Sequence, residues 1–99
     1  MTYLDSLAAL IRSCLPPHAK PPADSDDLFR LYAVLLLAKG DQVTDEDVHN
    51  AWCAWIQTVN SDHKALIPFN DLDPETRAAD TPYTQAIHAA TRRKSRGHE

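Results

Sequence analysis

The sequence predicts an all-α domain, a small orthogonal bundle of about four helices with a proline-rich connector and one extended segment. Three observations favour this fold class. Apolar residues recur at helical spacing in several stretches, helix-capping residues precede those stretches, and prolines stand between them. The chain of 99 residues has the size of one domain, expected at residues 1–91, with a basic and disordered tail at residues 92–99.

The N-terminal part of the chain predicts a helix followed by a connector. The helix runs from about Thr2 to Cys14, because one face carries apolar residues at helical spacing: Leu4, Leu7, Leu10, Ile11 and Cys14. A proline pair stops it, and four prolines within residues 15–23 predict a stiff, extended segment. Cys14 and Cys53 are far apart in predicted helices, which favours two free, buried thiols over a disulfide.

A second helix is predicted between two terminating signals. Asp24 or Ser25 caps its start, and it continues through Lys39 to Gly40, which can adopt the left-handed conformation that ends a helix. Its apolar residues point in nearly every direction, which is typical of a helix in the middle of a fold. A homodimer surface on this helix is the alternative to core packing.

The third helix begins at Thr44, where a Thr-x-x-Asp pattern indicates a capped start. An apolar stripe places both indoles on one side of this helix: Val48, Trp52, Trp55 and Val59. Residues 65–69 are too few and too proline-bearing for a helix. They predict an extended strip laid across the helices.

The last two helices share one kind of start signal. Asp73 followed by Pro74 predicts a short helix through about Ala79, and Thr81-Pro82 repeats the signal for a closing helix. The closing helix is expected to direct three side chains inward: Tyr83, Ile87 and Ala90.

Charge and hydropathy disfavour several classes of function. The formal net charge is −4 and basic residues crowd the last eight positions, so the acidic body is expected not to bind nucleic acid. No apolar run approaches the roughly 20 residues of a membrane helix, and residues 1–5 lack the features of a secretory signal. We therefore expect a cytoplasmic protein without membrane contact.

One stretch resembles a known module. Residues 44–90 combine a histidine and a tryptophan on a helix, a second histidine in the following loop, a proline-aromatic pair and a closing helix. The residues that carry the likeness are Val48, His49, Asn50, Trp52, His63, Leu66, Pro68, Phe69, Leu72, Pro74, Glu75 and Asp80. In these features the stretch resembles the RyR domain, the repeated module of ryanodine receptors that also occurs in bacterial and phage proteins. The whole chain is similar to short uncharacterised proteins of actinobacteria and their phages.

The resemblance implies a small, non-catalytic helical module that binds nucleotide-like molecules beside aromatic side chains. Two departures from the pattern change that expectation. The glycine-containing aromatic hairpin before His63 is missing, and Asp80 is followed by Thr81 where an arginine is common. Loss of that arginine removes a bidentate phosphate partner, which disfavours phosphate recognition.

The candidate ligand site is a groove between the tryptophan helix and the strip at residues 66–69. Its expected ligand-binding residues are His49, Trp52, Trp55, His63, Pro68, Phe69 and Asp80. The alternative interpretation makes both tryptophans core anchors and lets His63 hydrogen-bond backbone carbonyls. His49 and Cys53 stand one helical turn apart, which would suit two metal ligands or a base and a nucleophile. Neither a metal nor a cofactor is expected, because further ligands are unconstrained.

Three functions stay open. The first is non-enzymatic binding of a small planar or nucleotide-like ligand by stacking and apolar burial. The second is protein interaction, as a phage or host regulatory factor whose acidic helical face meets a basic partner. The third is a small cysteine hydrolase built around Cys53 and His49, which is the least favoured because an acidic setting raises the pKa of a thiol.

Overall fold

The chain is helical in each stretch where the sequence predicts a helix. The computed structural model describes the backbone of residues 2–97 and the side chains of residues 2–95. Five α-helices lie in this part: α1 (Tyr3–Ser13), α2 (Asp26–Lys39), α3 (Asp45–Val59), α4 (Pro74–Ala78) and α5 (Thr81–Gly97). Two short 3-10 turns, Gly40–Gln42 and Phe69–Asp71, join them, and no strand occurs between residues 2 and 97. The predicted all-α bundle is confirmed.

Side chains that the sequence marks as caps fix the starts of α1 and α3. Thr2 accepts the backbone N–H of Asp5, and the Asp5 carboxylate accepts the backbone N–H of Thr2 in return. Thr44 and Asp47 form the same reciprocal pair at the start of α3. Each such cap contributes about 1 kcal/mol. At the end of α2, Gly40 ends the helix with a positive φ of +53°, as predicted, but its ψ of −119° differs from that of the left-handed helical conformation.

The start of α2 is used for contacts between helices. Ser25 is the N-cap, but its side chain makes no capping bond. Its hydroxyl instead accepts a hydrogen bond from Arg12 at 3.2 Å, and the Arg12 guanidinium lies 4.1 Å from the centre of the Phe29 ring. Arg30 on α2 pairs with Asp5 on α1 at 2.7 Å. These polar contacts fix the packing of α1 against α2.

The core lies around α2, which packs against α1, α3 and α5. Its buried residues form one side of the helix: Leu28, Phe29, Tyr32, Ala33 and Leu36. Val34 and Leu37 are 48% and 47% exposed, so the expectation of burial in nearly every direction is wrong on that face. The neighbouring helices leave this face uncovered. On α3, Val48 and Trp55 of the apolar stripe are buried, whereas Val59 near the end of the helix is 64% exposed.

The segment between α3 and α4 is less extended than predicted. The His63 N–H donates to the Asn60 carbonyl at 3.2 Å, and the Leu66 N–H donates to the His63 carbonyl at 3.1 Å. These hydrogen bonds close two successive turns, and extended backbone occurs at Pro68, just before the 3-10 turn, and at Leu72, just after it. The polar run after α3 supplies such turns more readily than a continuous strip.

The closing helix is longer than expected. Ile87 and Ala90 are buried as predicted, Tyr83 is partly buried against the core, and Ala86 is buried as well. Residues 92–97, which were expected to belong to a disordered tail, continue α5 as helix, while residues 98 and 99 lie outside the described residues. Arginine and lysine are good helix formers and their charges are favourable near a helix C-terminus. In the described part of the chain, no helix combines the length and the apolar character that a membrane crossing demands.

Candidate functional site

A cavity of about 270 Å³ lies where the proline-rich connector, α2, α3, the following loop and the start of α5 converge. Its apolar wall includes Leu28 of α2 and Ala65 of the loop, and Lys20 stands at the connector side. The volume is slightly below the roughly 300 Å³ at which drug-sized pockets begin. The cavity therefore suits a molecule of one ring or two fused rings.

Aromatic rings form a large part of the wall. His49 and Trp52 are one turn apart on α3, and their rings stack at 5.8 Å with an interplanar angle of 22°. The His63 ring meets Trp52 nearly at a right angle, with centroids 4.9 Å apart. Across the cavity, the rings of Tyr32 and Tyr83 lie 5.8 Å apart. The arrangement offers the edges and faces of several electron-rich rings to a bound molecule.

His49 is fixed by a hydrogen bond to the loop. Its Nε2 lies 2.6 Å from the carbonyl oxygen of Ile67. Since a carbonyl can only accept, Nε2 carries the proton and donates. The Nδ1 atom then faces Oδ2 of Asp80 at 3.9 Å, which is too far for a hydrogen bond. His49 is only 3% exposed, so this bond holds the loop firmly against α3.

Asp80 is the acidic group that lines the cavity. Its Oδ2 is buried and has no hydrogen-bond partner among the described residues. Burial raises the pKa of Asp80 to about 6, with His49 lowering it and Asp45 adding to the rise. The Asp80 charge in turn adds to the burial that raises the pKa of the Tyr83 hydroxyl. A carboxylate held in this way is an energetic cost to the empty protein.

Cys53, His49 and Asp80 stand in the order of a nucleophile, a base and an orienting acid. The Cys53 Sγ lies 3.2 Å from His49 Nε2. That nitrogen carries a proton and donates to the Ile67 carbonyl, so it has no free lone pair to accept the thiol proton in this geometry. Burial, with Asp80 contributing, raises the pKa of the Cys53 thiol. A raised thiol pKa is the opposite of what an activated cysteine needs.

Four of the predicted ligand-binding residues line the cavity: His49, Trp52, His63 and Asp80. Trp55 does not; it is 8% exposed and belongs to the hydrophobic core, as the alternative interpretation had it. Pro68 is exposed and precedes the 3-10 turn. The ring of Phe69 lies 6.1 Å from that of His49 but outside the cavity wall.

The predicted groove is displaced for one reason. The hydrogen bond between His49 and Ile67 closes the space between α3 and the end of the loop. The opening lies instead towards α2, α5 and the connector. His63 also differs from expectation, because its Nδ1 accepts the Ala65 N–H at 3.0 Å instead of bonding a carbonyl. The turn that this bond stabilises directs the loop start, not its end, into the cavity.

Sequence reasoning missed the far wall of the site. Tyr32 was taken only as a core residue of α2, Tyr83 only as an inward residue of α5, and Lys20 and Pro22 only as connector. All four line the cavity. The one available signal was the hydroxyl on two otherwise apolar helix faces, because a buried tyrosine usually brings its polar end to a partner or to a wet surface.

Fold and site together define a small all-α domain with an aromatic cavity that contains a carboxylate. Within the described residues, no group of three or more histidine, cysteine, aspartate or glutamate side chains is arranged to hold a metal ion. The chain belongs to the DUF7701 family, a domain of unknown function whose family model matches residues 2–92. Neither a curated protein nor a solved structure matches the chain.

The family match corrects the resemblance to the RyR domain, which is wrong. The matched family includes the N-terminal helix and the proline-rich connector, which the supposed receptor module did not cover. Residues behind the resemblance have general structural roles: Pro74 is the first residue of an ordinary capped helix, and Leu72 is buried. No finding supports an actinobacterial or phage origin either.

Proposed function

We propose that this domain is a non-enzymatic receptor for a small planar molecule that enters the cavity beside Trp52. The observation that carries the proposal is the half-open aromatic wall, where Trp52, Tyr32 and Tyr83 border about 270 Å³ of space. In a small protein, apolar side chains normally fill such a volume. Stacking and apolar burial would supply the binding free energy, with His49, His63 and Asp80 giving orientation.

Binding is favoured over catalysis by the state of the cysteine. A cysteine hydrolase needs a thiolate and a base that can accept its proton. Here the pKa of Cys53 is raised, and the neighbouring Nε2 of His49 donates to Ile67. Cys53 should therefore react slowly with iodoacetamide near neutral pH, no faster than a thiol in an unfolded control peptide. Fast alkylation would favour the hydrolase.

The two tryptophans allow a direct test of the binding site. Trp52 borders the cavity and Trp55 lies in the core, so each can serve as the single fluorophore of a variant. In Trp55→Phe the remaining indole reports on the cavity, and in Trp52→Phe it reports on the core. We would titrate both with planar probes: benzimidazole, indazole, adenine and adenosine monophosphate.

The ligand model expects at least one base-like probe to change the emission of Trp55→Phe and to leave that of Trp52→Phe unchanged. It also expects a rise in the unfolding temperature, since a ligand of the native state adds RT ln(1 + [L]/Kd) to stability. Adenosine monophosphate should bind less well than adenine, because its phosphate meets the Asp80 carboxylate. Equal responses of the two variants, or no response to any probe, contradict the model.

A protein-interaction function is the second candidate, and the exposed face of α2 favours it. Val34 and Leu37 are exposed one turn apart on that helix. Exposed apolar side chains in a cluster often mark contact surfaces. Sedimentation of Val34→Ser/Leu37→Ser beside the unaltered protein tests whether this face joins two copies of the chain. A concentration-dependent dimer that only the unaltered protein forms supports the candidate, and monomers in both samples count against a homodimer.

A further inference from the structure

We propose that the cavity selects a small organic cation, a planar ring bearing an amidinium, guanidinium or ammonium group, whose charge pairs with the carboxylate of Asp80. This inference rests on the proposed function and narrows it to one chemical class. It is carried by the position of the carboxylate, by the rings around it, and by the other charges that face it.

No side-chain hydrogen bond among the described residues explains the position of the Asp80 carboxylate. The aspartate directly precedes α5, where an acidic side chain usually accepts a helix N–H. Here only its backbone carbonyl serves the helix, accepting from Tyr83 and Thr84 at 3.1 Å each. Asp80 lines the cavity instead, and its Oδ2 has no hydrogen-bond partner among the described residues. A buried charge without a partner is costly, and a ligand cation would offset that cost.

The aromatic rings that line the cavity also favour a positively charged ligand. Trp52 of α3, Tyr32 of α2 and Tyr83 of α5 all line the cavity. The face of an aromatic ring is electron-rich and attracts a desolvated cation, by about 0.5 to 2 kcal/mol for each well-placed contact. A carboxylate beside several aromatic rings is a common arrangement for holding an organic cation. A neutral ring could use the stacking surface but would leave Asp80 unpaired.

The surrounding charges also disfavour an anion. The titratable groups that act electrostatically with Asp80 come from three helices: Tyr32 of α2, Asp45, His49 and Cys53 of α3, and Tyr83 of α5. His63 lines the cavity from the loop, and Lys20 stands exposed at its connector side. Asp45 adds negative charge near Asp80, and the chain carries −4 overall, which attracts cations over a distance.

Arg77 is a further side chain that could compete for this role, besides His49, which is a cation only when both ring nitrogens are protonated, and the exposed Lys20 at the cavity. The Nε of Arg77 is also buried without a hydrogen-bond partner. Within the described residues no ion pair joins Arg77 to Asp80, and the guanidinium is not part of the cavity wall. If Arg77 paired with Asp80 in solution, it would lower the pKa of Asp80, which a carbon-13 NMR titration of the carboxyl groups would detect.

Three isosteric probes isolate the charge. Benzamidine is a cation near neutral pH, benzamide is neutral and benzoate is an anion, and all three share one ring and one planar substituent. We would titrate each into the labelled protein at about pH 8, where Asp80 is ionised, and follow backbone amide shifts by NMR. Concentrations up to roughly 10 mM detect dissociation constants in the millimolar range.

Two variants of equal charge change complete the design. Asp80→Asn removes the proposed partner and keeps the shape of the side chain. Asp71→Asn removes a carboxylate from an exposed residue that does not line the cavity. Thermal unfolding of both variants establishes that each is folded before titration.

The proposal expects benzamidine to shift the amides of cavity residues and to bind more tightly than benzamide, with benzoate weakest. Asp80→Asn should weaken benzamidine by at least about tenfold, the loss expected for a charged hydrogen-bonded pair, while Asp71→Asn should not change it. Equal binding of benzamide and benzamidine, or an unchanged affinity in Asp80→Asn, overturns the charge preference and leaves the planar-ligand receptor standing. No shift with any of the three probes, joined to a negative fluorescence titration, overturns both.

Discussion

Asp73 and Asp80 have a similar local sequence context, but their side chains have different roles in the fold. Each directly precedes a helix that has a proline in its first turn. Oδ1 of Asp73 accepts the Thr76 N–H at 2.7 Å, and these hydrogen bonds keep the pKa of Asp73 below its ordinary value. Asp80 accepts no helix N–H with its side chain and is buried, so its pKa rises to about 6.

The difference follows from what anchors each helix. The short α4 has no buried residue and depends on its cap. The longer α5 is held by Ala86, Ile87 and Ala90 in the core, so its first turn needs no side-chain cap. When a helix is stabilised by its own core contacts, the aspartate at its start need not cap it and can line a cavity instead. A helix-start pattern therefore predicts that a helix begins there, but not whether the preceding aspartate caps it with its side chain.

The largest effect should come from weakening the anchor of α5. Ile87→Ala removes a fully buried side chain and should lower the free energy of unfolding by about 2 to 5 kcal/mol. Ile67→Ala, at an exposed isoleucine, is the matched control and should have a small effect. Urea unfolding at neutral pH measures both. Similar losses in the two variants would mean that α5 is not held in the way described.

The second prediction concerns the cost of the Asp80 charge. Because burial raises the pKa of Asp80 from 3.8 to about 6, the folded state holds its proton more tightly than the unfolded state. This contribution to stability is fully present below about pH 4 and is lost as the pH rises through about 6. Asp80→Asn should therefore become more stable than the unaltered protein, by on the order of 2 kcal/mol near neutral pH.

Denaturant unfolding between about pH 4 and pH 7.5 measures the effect. The gap between Asp80→Asn and the unaltered protein should grow across this range, whereas Asp71→Asn should track the unaltered protein. An Asp80→Asn variant that is destabilised at neutral pH would show that the carboxylate has a stabilising partner in solution.

The third prediction concerns Asp73, whose effect on stability should be smaller than that of Asp80 and should have the opposite dependence on pH. The pKa of Asp73 is lowered, so its stabilising contribution is present above about pH 4 and is lost as the pH falls through its folded value. Asp73→Ala should lower the unfolding temperature near neutral pH. Asp73→Asn should keep most of the stability, since asparagine is an equally good N-cap. A loss as large in Asn as in Ala would assign the effect to charge instead of capping.

The mildest test leaves the protein unaltered. A carbon-13 NMR titration of the aspartate carboxyl groups should give a midpoint of about 6 for Asp80. Asp73 should titrate below 3.8, so the two residues separate clearly. A midpoint for Asp80 below 3.8 would remove the contrast between the two helix starts and would point to pairing with Arg77.

Much of the fold was predictable because its signals are local. The caps at Thr2 and Thr44, the terminating Gly40 and the Asp73-Pro74 start act over a few residues, and each was found where expected. The inward face of α5 followed from helical spacing alone. The candidate site was predicted in part, since His49, Trp52, His63 and Asp80 line the cavity, but Trp55, Pro68 and Phe69 do not.

The sequence by itself determined the order of the helices and where they start, because hydrophobic spacing and capping depend on neighbouring residues. Only the tertiary structure decided which of the two tryptophans on α3 lines the cavity. It also decided whether an aspartate before a helix caps that helix or keeps a carboxylate oxygen without a hydrogen-bond partner. Those outcomes depend on partners that are distant along the chain, such as the Ile67 carbonyl that fixes His49, and Tyr32 of α2, which lines the cavity together with Asp80. A local pattern contains no information about such partners until the helices pack.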